Sequence, residues 1–152
     1  MCTSFMGELM TATHNFGTAP TRATSAADTF KGALYLASAT INASTTAYST
    51  TGEVTGTGYS AGGVTVTNAT PPTATNSSAT AGVAYWTPSA SLTYTSVTLT
   101  TAFDAVLIYN SSQSNKAVSV HTFGSQTITA GTFTLTMPSN TTTTALLRLA
   151  TT

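Results

Sequence analysis

The chain has 152 residues, enough for one domain that buries most of its apolar surface. Four basic residues cancel four acidic ones, while 38 threonines and 17 serines make up over a third of the sequence. So few and so scattered charges exclude electrostatic capture of nucleic acid, and no apolar stretch approaches the roughly 20 residues that cross a bilayer.

A surface normally carried by Lys, Glu, Asp and Arg must here be carried by hydroxyls. Threonine is β-branched and suits a half-buried pleated surface, so the composition predicts an all-β chain. A nearly uncharged β surface has little electrostatic protection against association. That is a handicap for a free enzyme and natural for a part packed into an assembly. The start, Met1 to Glu8, lacks the basic and apolar regions of a secretory signal, so folding in a cytoplasm is expected. The N-x-[ST] triplets at Asn42, Asn68, Asn76, Asn110 and Asn140 then carry no glycan. Cys2 is the lone cysteine, which rules out an internal disulfide; it is either a terminal thiol or half of an intermolecular bridge.

Residues 3–14 form the expected helix, with Phe5, Met6, Leu9, Met10 and Thr13 on one stripe and Thr3 or Ser4 as its cap. Residues 14–26, with Gly17 and Pro20, read as a connecting arm, so 1–28 make a helix-and-arm segment ahead of a β domain at 29–152. A first strand at 30–36 places Phe30, Leu34 and Leu36 on one side. Val64 to Thr67 and Val83 to Trp86 follow, with 70–78, around Pro71 and Pro72, expected as a polar loop. In 91–100, Leu92 and Tyr94 fall on one side and Val97 and Leu99 on the other, a change of phase that predicts a bulge near Ser96. The apolar run 103–109, broken only by Asp104, is the expected central strand. After turn material at 110–115, the chain reads as strands at 116–123, 126–128 and 132–137, broken at Gly124 and at Ala130-Gly131. A short strand at 145–149 ends it. About eight strands with turn signals at short intervals predict a β-sandwich or jelly roll with a short N-terminal helix.

Candidate chemistry is sparse. Gly56-Thr57-Gly58-Tyr59-Ser60-Ala61 spells a dinucleotide fingerprint, but Gly62, Gly63 and a Val-Thr alternation follow it where a helix N-terminus is required. The segment 52–63 is therefore expected as a long turn with glycines at positive φ and no cofactor. His14 and His121 are far apart, and Glu8, Asp28, Glu53 and Asp104 show no metal-ligand spacing. Asp104, His121 and a serine lack any nucleophile-elbow motif, so no catalytic residue is assigned and no enzyme is expected. Asp104 is expected to pair with Arg148 or Lys116. Tyr48, Tyr59, Tyr85, Trp86 and Tyr94 are either core and cross-strand residues or a sugar-stacking face.

Four stretches carry a resemblance. They are Thr29-Phe30-Lys31-Gly32-Ala33-Leu34-Tyr35, the glycine-rich 47–63 from Ala47-Tyr48-Ser49 to Ala61-Gly62-Gly63, and Ala105-Val106-Leu107-Ile108-Tyr109-Asn110. The fourth is the ending Phe133-Thr134-Leu135-Thr136-Met137-Pro138 with Ala145-Leu146-Leu147-Arg148-Leu149. Together they resemble small virion structural proteins of tailed bacteriophages, over most of the chain beyond residue 29. This chain has Asp104 where that pattern often has Arg. The resemblance implies a component of a phage particle assembled in the host cytoplasm. The expected function is that of a capsid cement or decoration protein, a homo-oligomer bound to the major capsid protein between shell subunits, with no contact to nucleic acid or membrane. A tail-fibre or baseplate module that recognises host carbohydrate is the alternative. Phe5, Leu9 and Met10 are the candidate interface residues, either an anchoring arm on a neighbour or a lid over one end of their own sandwich.

Overall fold

A computed structural model describes residues 2, 5, 9, 13, 14, 16, 27–67, 71–75 and 82–150. Among these residues, seven strands, β1 (Phe30–Leu36), β2 (Val64–Thr65), β3 (Thr73–Thr75), β4 (Val83–Trp86), β5 (Leu92–Asn110), β6 (Lys116–Leu135) and β7 (Leu147–Ala150), form two antiparallel sheets. One sheet has the order β2-β1-β5-β6 and the other β3-β4-β7. The all-β class expected from threonine content is therefore the class observed. Of the helix expected over 3–14, Phe5 and Leu9 are helical, Thr13 and His14 are not, so it ends earlier than expected, and the other positions between 3 and 12 lie outside the described residues.

β5 and β6 are one long hairpin, closed by a turn in which Ser114 and Asn115 take positive φ. The Asn110 carboxamide oxygen accepts from the Ser112 amide at 3.1 Å and shapes the start of that turn. The separate strands expected on either side of residues 101–102, Gly124 and Ala130-Gly131 are continuous. Small residues mark bulges as well as turns, and here they mark bulges. Ser96, at φ 54°, sits in the register shift between Tyr94 and Val97, where the change of phase placed it. Ala130, at φ 46°, sits in the next one. The bulges bend the hairpin so far that its two halves meet: Phe103 lies edge-on to Phe133 at 5.1 Å, and the Tyr94 hydroxyl donates to the Gly32 carbonyl at 2.8 Å.

Residues 73–75 are a strand where a loop was expected. The segment is polar, but Thr75 Oγ1 accepts from the Val83 amide at 3.1 Å and reinforces the β3–β4 ladder.

The core gathers on β1 and the near half of β5. Phe30, Leu34, Phe103, Val106, Leu107 and Ile108 are all fully buried, each contributing about 1.5–3 kcal/mol relative to exposure. Val118 and Leu147 are buried as expected, whereas Leu36, Val120, Phe133 and Leu135 are half-buried and pack against the core margin. β5 is buried on both faces here because the 37–63 loop covers one of them. Phe30 on β1 and Trp86 on β4 bring the two sheets together. Phe16 fills the gap, stacked on Phe30 at 4.5 Å and edge-on to Trp86 at 4.9 Å.

Candidate functional site

The densest polar constellation lies under the glycine segment. β1 needs a partner on its outer edge, and the chain supplies one in pieces. Val66 N–H donates to the Phe30 carbonyl, Val54 N–H to the Leu34 carbonyl, and Leu36 N–H to the Gly52 carbonyl. The Leu34 amide falls between these pieces and donates instead to the Tyr59 hydroxyl at 3.0 Å. For the chain to turn this tightly, Gly52, Gly58, Gly62 and Gly63 take φ between 71° and 88°. Gly63 has no alternative, since a Cβ there would lie 1.8 Å from the Gly32 carbonyl oxygen.

Glu53 bridges to β1 beside Tyr35 and is 5 % exposed. One carboxylate oxygen accepts from the Tyr59 hydroxyl and the Gly62 amide, both at 2.7 Å. The other accepts from the Tyr48 hydroxyl at 2.6 Å. A buried carboxylate is tolerable only when its lone pairs are met in this way. Tyr48 stacks on Tyr109 at 4.6 Å, and the Tyr109 hydroxyl donates to the Gly62 carbonyl at 2.9 Å. Tyr59 stacks on Tyr94 at 6.0 Å. Burial, then the hydrogen bond to Glu53, pushes the Tyr48 and Tyr59 hydroxyls well above the usual phenol range. Burial and the Glu53 charge raise Tyr94 and push Tyr109 up to about 12. All these phenols hold their protons at neutral pH, so the cluster acts as a clamp that fixes the 48–63 loop to β1 and β5. Read from sequence, Glu53 was one scattered acid among four. The signal was present in the tyrosines at 48 and 59 that flank it within one glycine-rich segment.

A second buried network lies near the β5–β6 turn. The Asn110 amide donates to the Asp28 carboxylate at 2.8 Å and lies 3.0 Å from His14 Nδ1. The Gln113 amide donates to the other Asp28 oxygen at 3.2 Å. His14 and Asp28 are each 8 % exposed, so these contacts fix the residues leading into β1.

The remaining sequence candidates separate. Asp104 is half-buried, and no ion pair joins it to Arg148 among the described residues; the Arg148 guanidinium donates to the Thr143 carbonyl at 3.0 Å. The expected pairing rested on full burial, and half-burial leaves the carboxylate access to water. His121 Nε2 lies 2.8 Å from Ser119 Oγ, and burial lowers the His121 pKa to about 4, so the ring is neutral at pH 7. Ser119 is fully buried. Among the described residues, no group of three or more His, Cys, Asp and Glu could hold a metal ion. Cys2 is buried, its amide donating to the Val118 carbonyl at 3.0 Å.

Of the candidate interface residues, Phe5 is 2 % exposed within its own core, 4.8 Å from the His14 ring and 6.0 Å from Phe16. Leu9 is half-buried on the same core, and Met10 lies outside the described residues. Phe5, Leu9, Phe16, Trp86, Leu147 and Leu149 line a small apolar cavity of about 100 Å³. Trp86 and Tyr94 are buried, and Tyr48 and Tyr59 are half-buried with their hydroxyls engaged by Glu53, so these rings do not form an exposed stacking platform. No protein-family model, curated protein or solved structure matches the chain.

Proposed function

We propose that the chain is a virion structural protein of a tailed bacteriophage: a cement or decoration protein that binds the outer shell between major capsid protein subunits as a homo-oligomer. The observation that carries this reading is the surface. Two of the four acids, Asp28 and Glu53, are buried, so the charge available for repelling neighbours is lower still than the composition implies. What is left is a hydroxyl-covered β surface suited to contacts made by burial and hydrogen bonding. Many weak contacts to neighbouring subunits would add through multivalency and hold a shell closed. The sequence resemblance beyond residue 29 supports the same reading. As part of it, we take the two sheets as a jelly-roll-like sandwich with a short N-terminal helix that ends before Thr13.

Recognition of carbohydrate by a tail module would call for coplanar exposed rings. Burial and hydrogen bonding of the aromatic side chains therefore favour the shell over the tail. The test is the number of copies in purified particles, counted by quantitative mass spectrometry of virion proteins. Hundreds per particle support the shell reading. A handful places the protein on the tail, and absence from the particle overturns the proposal.

A further inference from the structure

We propose that the outer edge of β6 receives the same edge of a second copy, antiparallel, about a two-fold axis at Phe133. The inference specifies the self-association within the reading above and stands apart from its shell contact.

Strand addition already occurs at the near end of this edge. The Ala117 amide donates to the Thr46 carbonyl at 2.9 Å, the Tyr48 amide to the Asn115 carbonyl at 2.9 Å, and the Cys2 amide to the Val118 carbonyl at 3.0 Å. Beyond Val118 the edge is open: among the described residues, no backbone hydrogen bond reaches the outer side of 119–135. An open edge is usually guarded by lysine, by proline or by inward-pointing charge. Here no Lys, Arg, Asp or Glu occurs between Lys116 and Arg148, and the first proline is Pro138. Bulges interrupt β6 between Thr122 and Gln126 and between Ile128 and Gly131, which leaves 131–135 as the straight distal stretch.

The side chains of that stretch are self-complementary. Its inner face carries Phe133 and Leu135, half-buried beside Ile128, and its outer face carries exposed Thr132 and Thr134. An axis at Phe133 sets that ring against Phe133 of the partner subunit, and Thr132 opposite Thr134 of the partner subunit. Aromatic and Thr–Thr pairs are favourable cross-strand combinations. An uncharged strand meets its own copy without repulsion.

Pairing over 131–135, the straight stretch centred on Phe133, spans about 17 Å at about 3.3 Å per residue, and a sheet about 10 Å thick then covers about 170 Å² on each copy. The total of about 340 Å² falls well below the roughly 1,200 Å² of stable complexes. The free dimer is accordingly weak, and it becomes populated where copies are held close together.

The test uses the full chain with Cys2→Ser, carrying either Thr132→Cys or Thr134→Cys. Directly opposite Cβ atoms lie about 4.5–5.5 Å apart, near disulfide reach, while like residues are offset by about 7–8 Å. Mild oxidation of the mixed variants at about 1 mM should give at least tenfold more covalent dimer than either variant alone. Adding Thr134→Lys to the Thr132→Cys partner of a matched pair should suppress the yield while leaving Tm unchanged. Equal yields from mixed and single variants would overturn the axis. No dimer from the mixture would overturn the second copy as occupant and assign the edge to a different protein. Neither result depends on where the protein sits in a particle.

Discussion

Replacing Glu53 by alanine removes the acceptor shared by Tyr48, Tyr59 and the Gly62 amide. The Gly62 amide then has no replacement partner in a fold that buries it, at about 1–3 kcal/mol. The two phenols lose charge-assisted bonds worth about 1.5–3 kcal/mol each, of which water at half-exposed Tyr48 restores part. The expected loss for Glu53→Ala is about 4 kcal/mol, or about 8–16 °C in Tm for a domain of this length. Glu53→Gln separates acceptor geometry from charge. Its amide oxygen can retain Tyr59 and Gly62, and its NH₂ group can donate to the Tyr48 hydroxyl, which is itself a competent acceptor. That variant should lose only about 1–2 kcal/mol. Urea unfolding followed by Trp86 fluorescence measures both. A loss under about 1 kcal/mol for alanine, or equal losses for the two variants, would refute the clamp.

In alkali, the raised tyrosine pKa values mean that the folded state holds protons the unfolded state releases. Stability is therefore complete below the unfolded phenol value of about 10 and falls as pH rises toward about 12, where Tyr109 titrates in the fold. Tm should be flat from pH 7 to about 9.5 and drop above 10; phenolate absorbance that titrates like free tyrosine would contradict this. Gly63→Ala should cost over about 3 kcal/mol, because its Cβ meets backbone at a positive φ, whereas Gly124→Ala, with nothing within 4 Å, should be neutral or slightly stabilising by thermal melts. Phe5→Ala should cost about 3–5 kcal/mol in the isolated protein, the usual loss for a buried aromatic. A change under about 1 kcal/mol would instead mark Phe5 as free to serve a neighbour.

The strands of the core were legible because their signal is local. Phe30, Leu34, Val106 and Ile108 lie in apolar runs of the right length, and the phase change at Ser96 is visible without any partner strand. Continuity was not legible. Gly124 and Ala130-Gly131 break a pattern in one dimension, and only the opposing β5 shows that the ladder runs through them as bulges. Residues 73–75 failed for the related reason that a polar Thr-Ala-Thr becomes a strand by pairing with β4. The Glu53 cluster depends on long-range contacts. Tyr94 and Tyr109 lie 41 and 56 residues beyond Glu53 in sequence, and composition alone could not bring them to one carboxylate.

The scarcity of charge takes on a different meaning once burial is known. Glu53 and Asp28 hold loops to the strands, Asp104 and the two lysines are half-buried, and Arg148, which donates to the Thr143 carbonyl, is the one exposed charged side chain among the described residues. The described surface therefore has little fixed charge with which to discourage association. Sheet edges are commonly guarded by lysine, and this one carries bulges along β6 and local cover over its first residues. Bulges twist an edge away from continuous pairing but do not repel a strand that fits. On the proposed pairing, such protection would keep dilute copies apart and let crowded ones pair. A chain built to stay separate at every concentration would need charge on the Thr127, Thr129, Thr132 and Thr134 face. Threonine at all four positions leaves that face able to meet another like itself.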